Sequence, residues 1–143
     1  MVQQISTFLM FTGQVEAALN FYASVFPEAE HGPIKRFGAA EAGPKGKLKS
    51  GHLTIDGQRL MFFDSPIKHE FDMTPSVSLF VECDDSQEID RIAAALGEGG
   101  QVLMPLDGYD FATRFTWIND RFGCPGSSAS SANRSHQGIS APS

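Results

Sequence analysis

A chain of 143 residues, 41% hydrophobic and 20% charged, can bury roughly two-thirds of its unfolded surface, and its composition is that of a globular domain rather than a disordered or fibrous one. A formal net charge of -6 argues against a nucleic-acid partner, because phosphate binding relies on clustered Lys and Arg. No apolar run nears the roughly 20 residues of a membrane helix and no basic segment leads into an apolar signal core, so the chain reads as cytoplasmic, with no membrane partner.

Residues 5–11, Ile-Ser-Thr-Phe-Leu-Met-Phe, are β-branched and aromatic with two polar members, the pattern of a largely buried strand. Thr12-Gly13 ends it. From Gln14 the period changes: Val15, Ala18, Leu19, Tyr22 and Phe26 recur at steps of three and four, one face of a helix that Pro27 closes. Residues 31–37 lead into a Gly- and Lys-rich loop at 38–47. The basic cluster Lys45, Lys47 and Lys49 reads as a solvated hairpin loop, since no aromatic platform accompanies it. Residues 48–55 and 58–64 read as strands joined by Asp56-Gly57, a pair suited to a two-residue turn in which both residues take positive φ. The first half is thus strand, helix, strand, strand, strand.

The order then repeats. Residues 76–83 form a strand, and Asp84-Asp85-Ser86 with Glu88 supplies acceptors for the free N–H groups of a helix start. Ile89, Ile92, Ala93 and Leu96 make that helix's apolar stripe, and Gly97, Gly99 and Gly100 stop it. Residues 101–106 and 114–119 read as strands around an Asp107-Gly108-Tyr109-Asp110 turn. A second copy of the unit needs one more strand after Asp120-Arg121-Phe122-Gly123. The chain offers Cys124-Pro125-Gly126-Ser127-Ser128 and a Ser-rich continuation instead. Such side chains bury too little to offset ordering costs of about 1–2 kcal/mol per residue, so residues 124–143 are expected to be a disordered tail. Cys83 and Cys124 lack metal-type spacing, and no disulfide is expected.

Several segments together resemble a PhnB-like protein: Phe8-Leu9-Met10-Phe11, Ala17-Ala18-Leu19-Asn20-Phe21-Tyr22, Asp64-Ser65-Pro66 with His69-Glu70-Phe71, Thr74-Pro75-Ser76, Met104-Pro105-Leu106, and Trp117-Ile118-Asn119-Asp120-Arg121-Phe122-Gly123. This is a branch of the vicinal oxygen chelate superfamily, alongside glyoxalase I, bleomycin-resistance proteins and extradiol dioxygenases; its members often carry the name 3-demethylubiquinone-9 3-methyltransferase. The resemblance implies an α+β fold of paired βαβββ modules, the glyoxalase/bleomycin resistance fold, around a small-molecule cavity and usually in a homodimer. It covers residues 5–123 and implies a domain 1–123 made of modules 1–66 and 76–123, with the last strand of the second module expected to be lost or disrupted. Relatives continue with an apolar strand containing Trp-Gln-Leu. Codons TGC CCT GGC AGC TCG for residues 124–128, preceded by a C and read one base earlier, encode Leu-Pro-Trp-Gln-Leu, so a frameshifted tail is one reading of this ending.

The resemblance also implies where a divalent metal would sit. The first-strand position is Thr7, its counterpart is Ser78, the fourth-strand position falls within residues 61–63 beside Asp64, and the last-strand position falls near Ser127. Neutral hydroxyls are poor donors for Zn²⁺, Fe²⁺ or Mn²⁺, so no metal and no other cofactor are expected. Thr7, His52, Asp64, His69, Ser78 and Trp117 are the candidate ligand-binding residues, with no catalytic residue assigned. The leading reading is binding of a small, partly apolar molecule. The alternative is a metal-dependent lyase, isomerase or dioxygenase of the superfamily. Methyl transfer finds no support: Thr12-Gly13-Gln14 is not the Gly-rich turn a nucleotide-type cofactor needs, and Gly97-Glu98-Gly99-Gly100 follows a helix instead of preceding one.

Overall fold

The structure, a computed structural model, describes residues 1–110 and 112–130. Two compact units divide the chain, Met1–Glu70 and Phe71–Ser143. Among the described residues no helix is long and apolar enough to cross a membrane.

The first unit contains β1 (Thr7–Phe11), α1 (Val15–Val25), β2 (Glu30–His31), β3 (Lys35–Arg36), β4 (Leu48–Ile55) and β5 (Gln58–Asp64). Its sheet runs β1-β5-β4-β2, with β3 also pairing with β4. β1 and β5 are parallel, so α1 serves as the crossover that two parallel strands require. β4 and β5 form the hairpin read from the sequence, with Asp56 at φ 48 and Gly57 at φ 78, the left-handed pair of a tight primed turn.

Side-chain alternation then divides the sheet into two faces. The row Leu9↔Phe62↔Gly51 faces α1: Tyr22 stacks on Phe62 at 5.7 Å, and a Cβ added to Gly51 would lie 3.0 Å from Leu19 Cδ2. The glycine is what lets the helix approach this closely. Val15, Ala18, Leu19, Tyr22 and Val25 all bury against that face. The other row, Phe8, Met10, Met61, Phe63, Ser50 and His52, lies on the face that α1 leaves uncovered. At the basic loop Lys49 pairs with Glu41, and Arg36 of β3 reaches Glu16 of α1 at 3.3 Å; both are surface contacts worth little individually.

The second unit contains β6 (Leu79–Cys83), α2 (Ser86–Gly97), β7 (Gln101–Tyr109), β8 (Ala112–Asn119) and β9 (Pro125–Ser130). The Asp85 side chain caps α2 by accepting from the Glu88 N–H at 2.7 Å, as the sequence signal suggests. β7 and β8 run further than read from sequence, narrowing the turn between them; register shifts along their ladder absorb Pro105 and Gly108.

One expectation is corrected. The last strand is not lost, because Pro125–Ser130 is β9, one of the two inner strands of a sheet ordered β6-β9-β8-β7. It pairs in parallel with β6 and antiparallel with β8, so its backbone groups bond on both sides. The composition argument weighed side chains and missed the backbone. The Asp120 carboxylate accepts from Phe122 N at 2.9 Å and Cys124 N at 3.1 Å, and Gly123 takes φ 79, turning the chain back into the slot. Pro125 occupies the first strand position, where a missing N–H is tolerated. The rest of the expected tail, residues 131–143, lies outside the described residues.

Candidate functional site

Both sheets have one face packed by a helix and one that their own helix does not cover, and the six candidate residues distribute unequally between these environments. Thr7 belongs to the helix-side row of β1 with Leu9 and Phe11, and its hydroxyl accepts from Gln58 Nε2 at 3.0 Å. Asp64 is 7% exposed at the end of β5, where Oδ1 accepts from the Gly13 N–H at 2.6 Å. Burial pushes its carboxyl above the usual range, while backbone N–H groups of Gly13 and Gln14 pull the other way. These contacts join β5 to the entrance of α1, where Gln14 contributes no side-chain cap. Asp64 is therefore a structural tie.

His52 lies on the uncovered face of β4. Its Nδ1 is 2.9 Å from the Pro33 carbonyl oxygen, so that nitrogen donates. His69 follows β5 in the loop, with Nε2 3.0 Å from Ser65 Oγ. The same hydroxyl accepts from Ile67 N at 3.2 Å and lies 3.0 Å from the Ile67 carbonyl, a local turn that accounts for Ser65.

In the second unit the geometry is more convergent. Ser78 Oγ is 3.0 Å from Ser127 Oγ, and Ser127 is the registered neighbour of Trp117 across β8 and β9. Gly126, one residue away, faces Leu96 of α2, so Ser127 and Trp117 point to the opposite, uncovered side. Trp117 Nε1 and Asn119 Oδ1 are both shielded from solvent and have no hydrogen-bond partner. The structure thus sets Ser78 and Trp117 on either side of Ser127, and leaves Thr7, His52, Asp64 and His69 in separate settings.

Apolar rings complete both uncovered faces. Phe8 is 54% exposed and stacks on Phe63 at 5.6 Å; Phe80 is 58% exposed and lies 6.2 Å from Phe115. Phe11 and Phe62 belong to the core instead. Sequence reading missed Met10, Met61 and Asn119. Their signal was the two-residue alternation with Phe8, Phe63 and Trp117, which becomes decisive only when the helix side is known.

The donor set at the metal positions implied by resemblance consists of hydroxyls, Thr7, Ser78 and Ser127, with Met61, Phe62 and Phe63 on the fourth strand. Thr7 moreover faces the helix side. Such donors do not fit a Zn²⁺ or Mn²⁺ centre, and among the described residues no group of three or more His, Cys, Asp or Glu could hold an ion. Cys83 offers no nucleophile: burial first, then Glu88 and Asp85 nearby, push its thiol to about 11.

Two βαβββ-type units, each with a helix on one sheet face, define the glyoxalase/bleomycin resistance fold. A glyoxylase/bleomycin resistance protein/dioxygenase domain from Frankia sp. EAN1pec shares that fold at 9% identity and TM-score 0.65, covering 97% of this chain and 99% of its own. The chain belongs to the 3-demethylubiquinone-9 3-methyltransferase family, whose match runs over residues 3–125. A PhnB protein from Bacillus cereus is 39% identical with a TM-score of 0.85, the match covering 90% of this chain and 100% of that one. The fosfomycin resistance protein FosX from Listeria monocytogenes, in a complex with Mn(II), shares the fold at 13% identity and TM-score 0.63, with 90% and 93% of the chains covered. A search of curated proteins gives no match.

Proposed function

We propose that this chain is a cytoplasmic, homodimeric binding protein for a small, partly apolar molecule, held against the sheet faces that the helices leave uncovered. The observation that carries the reading is the pair of exposed aromatic rings, Phe8 and Phe80, one on each such face. Large apolar side chains gathered on a concave or open surface beside a few polar groups are the ordinary lining of ligand sites. On the first face His52 and Ser50, and on the second Ser78, Ser127 and Trp117, supply polar groups that would orient a ligand bound to that face.

A thermal-shift screen of small apolar compounds tests this. A compound that binds only the folded state stabilises it by RT ln(1 + [L]/Kd), about 2.7 kcal/mol at a hundredfold excess over Kd. We expect hits whose shift shrinks in Phe8→Ala or Phe80→Ala; a screen without hits, or hits indifferent to both substitutions, would sink the proposal. Metal analysis of protein purified without chelator tests the superfamily alternative. One tightly held divalent ion per chain, lost in His52→Ala, would replace the binding-protein reading with an enzymatic one. Sedimentation of the purified chain checks the dimer.

A further inference from the structure

We propose that Asp107-Gly108 is a site of spontaneous covalent modification, at which the Asp107 side chain closes on the Gly108 amide nitrogen to a succinimide and reopens as isoaspartate. The inference is independent of the small-molecule reading above and concerns the β7–β8 ladder.

The chain contains two Asp-Gly pairs, Asp56-Gly57 and Asp107-Gly108, which offer the same chemistry in different settings. A glycine after an aspartate leaves the attacking nitrogen free of a neighbouring Cβ. At the second pair Asp107 Oδ1 accepts from the Gly108 N–H at 2.7 Å, and both residues are exposed. An oxygen at that distance sets its own Cγ about 3–3.5 Å from the nitrogen, the separation of a near-attack conformer. The ladder does not compete for the amide: Asp107 pairs with Phe115 and Tyr109 with Ala112, and the register shift between them leaves Gly108 without a registered partner on β8. The first pair is held differently. Asp56 at φ 48 and Gly57 at φ 78 are the central residues of the β4–β5 hairpin, clasped by the Ile55↔Gln58 pair. Among the described residues no hydrogen bond joins the Asp56 carboxylate to the Gly57 N–H.

The step balances with water as its only co-reactant. The Gly108 nitrogen loses its proton and bonds to Asp107 Cγ, the Cγ–OH bond of the protonated carboxyl breaks, and water leaves. Water then adds to either carbonyl of the ring. Addition at Cγ restores aspartate, whereas addition at the Asp107 main-chain carbonyl carbon breaks its bond to nitrogen and leaves the chain running through Cβ and Cγ. Such a residue lengthens the backbone path by one methylene and turns the α-carboxyl into a side chain. The ladder is then lengthened just before Tyr109 meets Ala112. Tyr109 shifts with it, away from the Phe115 ring at 6.0 Å and from the Pro105 carbonyl to which its hydroxyl donates at 2.7 Å.

The test is to age the full chain for several weeks at neutral pH and physiological temperature, folded and in urea, and to locate isoaspartate by peptide mass spectrometry after digestion with a protease that cleaves before aspartate but not before isoaspartate. In the folded chain isoaspartate should form about tenfold faster at position 107 than at position 56, because the attack geometry is held at one pair alone. In urea the two rates should converge. Asp107→Glu keeps the charge but would have to close a larger ring, so it should abolish the modification there and leave Asp56 unchanged; Gly108→Ala is unsuitable, since its Cβ would lie 3.1 Å from the Thr113 carbonyl oxygen. Should the variant fail to fold, the wild-type comparison still decides. Equal rates at the two pairs in the folded chain, a faster rate at Asp56, no isoaspartate at either, or the same preference in urea would overturn the proposal.

Discussion

β5 and β9 occupy the same place in their units and are built from opposite materials. Each runs parallel to the first strand of its unit and antiparallel to the strand before it. Opposite Leu9 of β1 stands Phe62, wholly buried; opposite Val81 of β6 stands Ser128, 1% exposed, its hydroxyl without a partner. One strand is held by side chains and backbone, the other almost entirely by backbone. The difference teaches that the ladder hydrogen bonds on both sides of a slot can retain a strand that its own side chains would not select. Such a strand contributes register and closure, with little hydrophobic anchorage.

The largest effect expected from this contrast is at Phe62. Phe62→Ala should cost about 3–5 kcal/mol, because the ring stacks on Phe11 and Tyr22 and leaves a cavity. Urea unfolding monitored by circular dichroism measures it, and a loss under 1 kcal/mol would erase the asymmetry between the two strands. Next, Asp64→Ala should cost about 1–3 kcal/mol by leaving the Gly13 N–H without its acceptor. Its pH dependence has a definite sign. Burial raises the folded-state pKa above 3.8, so the contribution of this group to stability is fully present below the unfolded pKa and declines as pH rises through the folded one. Relative to Asp64→Asn, the wild type should therefore lose ground as pH increases across that window; a difference that is flat, or of opposite slope, would contradict the burial of the carboxyl.

Ser128 should respond in the opposite direction to Phe62. Removing its hydroxyl in Ser128→Ala ends an unsatisfied buried group and should stabilise the chain by about 1 kcal/mol. A destabilised variant would mean that the hydroxyl has a partner in solution. An effect of the same size as that at Ser128, but destabilising, is expected at Gly51, where Gly51→Ala puts a Cβ 3.0 Å from Leu19 Cδ2. Leu19 must yield slightly, and we expect a loss of about 1 kcal/mol, measured by thermal unfolding; no equivalent crowding arises at Gly126, whose added Cβ would sit 3.7 Å from Leu96.

Much of the fold was legible. Helical spacing at Val15, Ala18, Leu19 and Tyr22, the Asp56-Gly57 hairpin and the Asp85 cap are short-range signals, fixed within a few residues, and each corresponds to an observed element. Less of the candidate site was. Asp64 and His69 looked chemical because acids and imidazoles are reactive in isolation, yet one ties β5 to the start of α1 and the other meets the hydroxyl of a loop serine. Asn119 went unnoticed because nothing in its neighbours along the chain marks an amide as unpartnered.

By itself, the sequence determined the order of elements up to the last strand, the repeat of the unit, and the family, because these rest on local periodicity, turn chemistry and motif spacing. Only the tertiary structure decided which face of each sheet its helix covers, and with it the separation of Phe62 from Phe63 and of Gly126 from Ser127. It alone placed Pro125–Ser130 between β6 and β8. The physical reason is the same in both cases: a strand's side chains alternate identically whichever face is buried, and the demand of two neighbouring backbones for a partner is invisible until those neighbours have been brought together.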